Sequence, residues 1–102
     1  MLHVVACLEL VEGKRPELLE LFHTLVPQVR AEAGCIEYGP AVDAAVSLPA
    51  AAAPRANAVT VLEKWTDEAA LSAHLGSSHM QAFFARTRPL VKTLVVNVLQ
   101  PA

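Results

Sequence analysis

Val59-Thr60-Val61-Leu62-Glu63-Lys64-Trp65-Thr66-Asp67-Glu68 is the stretch that decides the fold. Val59, Val61 and the aliphatic part of Glu63 alternate with Thr60 and Leu62, which is the two-residue period of a strand. Thr66 fits the N-cap of a helix, and Asp67 and Glu68 then fall where the positive end of the helix dipole favours carboxylates. A strand therefore runs almost directly into a helix, with Trp65 at the junction and His74 and His79-Met80 downstream. An apolar body with titratable tips at a strand end suits a flat organic ligand better than a nucleic acid or a metal.

Outward from this junction the chain repeats the same grammar. Residues 2–11 read as a first strand, Gly13-Lys14-Arg15 as a turn and Pro16 as the first residue of a helix over 16–32. Leu18, Leu21, Phe22, Leu25 and Val29 form its apolar stripe. Pro27 lies inside that pattern and should kink or loosen it, and Gly34 stops it. A second strand is expected over 35–46, then a long Pro- and Ala-rich connection over 47–58, and a third strand over 59–65. A second helix over 67–87 should break at Gly76-Ser77-Ser78, where either serine can cap a new turn. Pro89 ends it, and 90–99 form a fourth strand. The order βαβ-βαβ defines an α+β fold, the ferredoxin-like split βαβ arrangement, with an antiparallel sheet and both helices on one face. The other face is then an uncovered Val/Leu surface. A second copy should cover it, giving a dimeric α/β barrel, a homodimer.

The 102 residues make one domain, 1–102, and the 54% apolar share with only 5% aromatic residues implies an aliphatic core plus a further buried surface. A net charge of −2 without a Lys/Arg stripe speaks against nucleic acid. No segment approaches a membrane span, the amino terminus does not read as a signal peptide, and Cys7 and Cys35 read as reduced thiols, so a cytoplasmic protein is expected.

Each candidate residue has a plain reading beside a functional one. Trp65 is either core or a pocket wall whose indole N–H meets a ligand oxygen. His74 and His79 are five apart, about 140° on one straight helix, which is not the spacing of a helical metal pair. With no third donor visible nearby, no metal is expected, and one of the two histidines is as readily a surface or capping residue. Glu63 and Tyr38 point either into the sheet's interior or to water, and a buried Glu63 would have a raised pKa and could act as a base. Cys35 reads as an inert thiol.

Gly34-Cys35-Ile36-Glu37-Tyr38, Glu63-Lys64-Trp65 and Ala73-His74-Leu75 with Ser78-His79-Met80 resemble the antibiotic biosynthesis monooxygenase domain, whose motif runs roughly G-C-x-x-Y … E-x-W … A-H-x-x-(S/T)-x-H. The run Tyr38 to Asp43, Val26-Pro27 and the Leu99-Gln100-Pro101 ending resemble its bacterial quinol monooxygenase branch more closely. The resemblance implies a ferredoxin-like homodimer that oxidises small quinols or phenolic aromatics with O2 and needs no cofactor. By motif position it makes Trp65 and His74 the catalytic candidates and Tyr38, Glu63 and His79 substrate-binding ones, and Met80 and Phe83 join the substrate-binding set as walls of the expected pocket. Haem-degrading relatives differ, carrying a Trp where His74 stands and an iron-binding His where Phe84 stands. Two other classes stay open on this scaffold: a non-catalytic dimeric small-molecule-binding domain, and a metabolite isomerase or processing enzyme. A pocket is expected between the sheet and the second helix, lined by Trp65, His74, Met80 and Phe83, with 47–58 at its mouth as a lid.

Overall fold

A computed structural model describes residues 1–102. Strand β1 (Leu2–Leu10) leads into helix α1 (Arg15–Arg30), followed by β2 (Cys35–Ala41) and β3 (Ala58–Trp65). Helices α2 (Glu68–Leu75) and α3 (Ser78–Thr87), a single 3₁₀ turn at Arg88–Leu90, and β4 (Val91–Leu99) complete the chain. The four strands form one antiparallel sheet in the order β2-β3-β1-β4, the ferredoxin-like topology expected from the sequence.

Alternation along the strands decides the core. Val4, Ala6, Leu8 and Leu10 of β1 and Val59, Val61, Glu63 and Trp65 of β3 are all buried, on the face that the helices cover. Leu18, Phe22, Leu25 and Val29 of α1 close over them, Phe22 meeting Phe83 of α3 at 4.8 Å between ring centroids. Leu21 of the expected stripe lies at the edge of this core and is only partly buried. Pro16 is the second residue of α1, in its first turn, and the helix continues through Pro27 to Arg30. The first strand ends one residue earlier than expected and α1 starts and stops a little earlier, within the usual uncertainty of element ends.

Three expectations are corrected. β2 ends at Ala41, not near residue 46, because its pairing with β3 stops at Ala41↔Thr60. The connection that follows is pinned at its base: the Arg55 guanidinium donates to both Asp43 carboxylate oxygens at 2.8 and 3.0 Å and reaches Cys7 Sγ at 3.4 Å. Cys7 is on the sheet face away from the helices, so this loop lies on that side. The uncovered face itself is not a uniform Val/Leu surface. By strand alternation it carries Val5, Leu62, Val95 and Leu99 interleaved with His3, Glu9, Thr60, Lys64 and Asn97. The concentrated apolar exposure is on β4, where Leu94, Val95, Val96, Val98 and Leu99 are each about half exposed, on both faces of the strand. The helices do not extend over that edge of the sheet.

Candidate active site

The α2–α3 break places the site's imidazoles. The N-cap is not Thr66, whose backbone N–H donates to Gly34 O (2.9 Å) beside the start of β2. Asp67 caps instead, its Oδ1 accepting from the Ala70 N–H at 2.8 Å. Seven residues on, His74 lies in the last turn of α2. Ser77 closes the break, its hydroxyl donating to His74 O (2.7 Å) while its oxygen accepts from the Met80 N–H that opens α3 (3.4 Å). His79 therefore starts a new helix, and the 140° separation of a straight helix no longer applies.

Between the sheet and these helices is a cavity of about 430 Å³, open along β4. Its walls are mostly aliphatic and aromatic, among them Ala6, Val61, Met80, Phe83, Leu94 and Val96. Polar character is concentrated in Tyr38, Glu63, His74 and Thr87, with Arg88 and Lys92 also on the lining. Thr87 donates its hydroxyl to Phe83 O (2.9 Å).

His74 is almost wholly buried, with its ring between two aromatic neighbours: Trp65 at 4.6 Å between centroids and Tyr38, edge-on, at 5.4 Å. Its Nδ1 lies 2.9 Å from Glu32 Oε2. Its Nε2 is turned toward Glu63 Oε1, 4.0 Å away. That gap is too long for a hydrogen bond, but one oxygen atom can lie about 2.8 Å from both groups at once. Burial raises the Glu63 pKa above the ordinary carboxylate value, opposed by the Trp65 indole, which donates to Glu63 Oε1 at 2.9 Å, and by the neighbouring His74. Burial, reinforced by the negative surroundings of Glu63 and Glu32, raises the Tyr38 phenol further, so it stays a neutral hydroxyl. Cys35 is also pushed up, by burial first and by the same two glutamates, which fits an inert thiol.

Of the residues singled out in the sequence, the cavity gathers Tyr38, Glu63, His74, Met80 and Phe83. Trp65 is not a cavity wall. It is fully buried behind Glu63 and His74, and its N–H is committed to Glu63. His79 is also off the cavity, on the outer side of His74, where its Nε2 lies 2.8 Å from Glu32 Oε2. No residue of 42–57 lines the cavity, so the expected lid is not there. The residue that sequence reasoning missed is Glu32, in the turn after α1 and two positions before the Gly34-Cys35 motif. The sequence shows no third donor beside the two histidines, and Glu32 supplies one: ligand-type atoms of Glu32, His74 and His79 lie within 4.8 Å of one another. Their two N···O separations are those of ordinary hydrogen bonds.

A ferredoxin-like sheet, an apolar cavity and a carboxylate–imidazole pair at its polar end define a small-molecule enzyme of the α+β type. The chain belongs to the antibiotic biosynthesis monooxygenase family, whose model matches residues 1–86, and it is a monooxygenase-type enzyme. It is 34% identical, over 99% of its length and 98% of the relative's, to "Probable quinol monooxygenase YgiN" of Escherichia coli K12. Among solved structures it resembles protein SO0527 of Shewanella oneidensis (31% identity, TM-score 0.79, 96% of this chain and 87% of that one). It also resembles PA3566 of Pseudomonas aeruginosa (26% identity, TM-score 0.81, 99% and 93%). No helix is long and apolar enough to cross a membrane.

Proposed function

We infer that the chain oxidises a small quinol or electron-rich phenol inside the cavity, using O2 and no bound cofactor. The observation that carries this reading is the 4.0 Å gap between His74 Nε2 and Glu63 Oε1 at the polar end of an otherwise apolar cavity of about 430 Å³. A phenolic oxygen placed there is within reach of a base, while its ring lies among Met80, Phe83 and the β-sheet aliphatics. His74 takes the phenolic proton, leaving an anion electron-rich enough to reduce O2 directly. In the oxidase case two electrons and two protons leave the quinol, giving quinone and hydrogen peroxide. In the monooxygenase case the substrate supplies all four electrons: one oxygen atom enters the ring and the other leaves as water, giving a hydroxyquinone from a quinol or a quinone from a phenol. Tyr38, held neutral, donates a hydrogen bond to the quinone oxygen as it forms. The relative named a quinol monooxygenase supports this substrate class.

The same reading includes a homodimer, supported by the half-exposed apolar strand β4 and by Val46 and Leu48, exposed on the 42–57 loop. It places the protein in the cytoplasm, where its two free cysteines stay reduced. Oxygen uptake by the metal-free protein with reduced naphthoquinone tests the reaction. Rapid protein-dependent uptake is expected, and His74→Phe should lower turnover by roughly 10²–10⁴, the usual worth of a general base. Tight quinol binding with no uptake would make this a binding domain, and a His74→Phe protein with wild-type turnover would remove His74 as the base.

A further inference from the structure

One carboxylate oxygen serves two imidazoles. Glu32 Oε2 lies 2.9 Å from His74 Nδ1 and 2.8 Å from His79 Nε2. A carboxylate oxygen only accepts hydrogen bonds, so each of these nitrogens must carry its proton. For neutral His74 this has a direct consequence: with the proton on Nδ1, the lone pair is on Nε2, the nitrogen turned toward Glu63 and the cavity. The opposite tautomer would aim an N–H at Glu63 and could not accept a proton from a ligand there. His79 is about a quarter exposed and Glu32 less so, which puts the outer end of this chain of hydrogen bonds near solvent and its inner end in the core.

We propose that Glu32, held in place by His79, is the positioning residue that fixes His74 in the Nδ1–H tautomer. Glu32 also faces the positive charge that His74 acquires on taking a proton, as a buried acceptor behind a catalytic imidazole does elsewhere. The link to turnover rests on the reading of His74 as the base; the tautomer assignment does not.

The experiment is therefore in two parts. Long-range ¹H–¹⁵N spectra of metal-free, histidine-labelled protein should show His74 as a single Nδ1–H tautomer. In Glu32→Leu, which has no acceptor, the proton should move to Nε2, the form favoured by free imidazole side chains. Glu32→Gln keeps an acceptor oxygen without the charge, and it serves if the leucine variant does not fold. It should retain the Nδ1–H tautomer yet slow quinol oxidation at least tenfold with KM nearly unchanged. Glu32→Leu should slow it by roughly 10²–10⁴, the worth of a general base that the wrong tautomer removes. His79→Gln, which still donates to Glu32, should fall between the glutamine variant and wild type. A wild-type His74 carrying its proton on Nε2, or a tautomer unchanged in Glu32→Leu, would overturn the proposal. So would zinc binding at micromolar concentration that His79→Gln and Glu32→Gln both abolish, since the three side chains would then be metal ligands. If no quinol drives oxygen uptake, the functional reading fails and the spectra still decide the positioning role.

Discussion

Trp65→Phe separates the two ways in which a lone buried tryptophan can matter. Trp65 is fully buried and its indole donates to Glu63 Oε1 at 2.9 Å. Phenylalanine keeps the ring contact with His74 but deletes the donor. A hydrogen bond to a charged acceptor contributes about 1.5–3 kcal/mol, and the smaller ring leaves a void costing about 1–2 kcal/mol. Where Glu63 is ionised, the variant should thus be about 2.5–5 kcal/mol less stable than wild type, by the sum of those two ranges. The two parts have different pH dependence. The folded-state pKa of Glu63 is already raised, so its protonated form favours folding at low pH, and stability is lost as pH rises through the unfolded value toward the folded one. The indole opposes that shift, and without it Glu63 is pushed higher still. The stability gap between variant and wild type should therefore widen with pH across this window and narrow in acid, where Glu63 is protonated in both states and the indole bond is only a neutral one. Urea unfolding followed by far-ultraviolet circular dichroism at a series of pH values measures this difference directly. A gap that stays constant from acid to neutral pH would mean that the indole N–H does not act on Glu63, and that Trp65 is packing alone.

Two further outcomes follow from the structure. Gly34→Ala should cost far more than Gly13→Ala in urea unfolding. Both glycines have positive φ (+82° and +79°), a backbone cost of about 1–2 kcal/mol for any other residue. At Gly34 a Cβ would also stand 2.5 Å from Ala70 Cβ and 2.7 Å from Thr66 Oγ1, whereas at Gly13 it meets nothing within 4 Å; the overpacking adds about 1–3 kcal/mol, and equal losses at the two positions would refute it. For the assembly, sedimentation at low micromolar concentration should give twice the chain mass, with an interface of about 2,000 Å² or more, and Val95→Asp should shift it toward monomer; a folded wild-type monomer would remove the dimer from the functional reading.

Much of the fold could be read from local pattern. The alternation at 59–65, the apolar stripe of α1 and the serine after Gly76 each state a period or a stop that tertiary packing does not override. The misreadings lie where a local rule competes with a distant partner. Thr66 has the chemistry of an N-cap, but the helix starts one residue later and the Asp67 carboxylate meets the Ala70 N–H, while the Thr66 N–H pairs with Gly34 O, thirty-two residues earlier. Trp65 has the chemistry of a pocket wall, but it sits beneath α2 at the strand end, and its donor is used by a residue two positions back on the same face. The long connection was expected over the cavity, yet Asp43, Arg55 and Cys7 tie it to the opposite side of the sheet. None of these partners is local.

The site shows the same limit in its sharpest form. Of the cavity residues, Met80 and Phe83 were legible from helical spacing, whereas Tyr38, Glu63 and His74 were legible only by their motif positions. Glu32 was not, since it lies in a turn between α1 and β2 and its role depends on where two other helices end. Five residues of straight helix would turn His74 and His79 away from each other. The Gly76-Ser77 break cancels that rotation, and the positive φ that Gly34 adopts lets the turn carrying Glu32 pass close to Thr66 and Ala70 at the start of α2. A glycine, a serine cap and a carboxylate, each unremarkable in its own segment, thus determine which nitrogen of His74 faces the cavity. If His74 is the base, that choice decides whether its imidazole can take a proton from a ligand in the cavity.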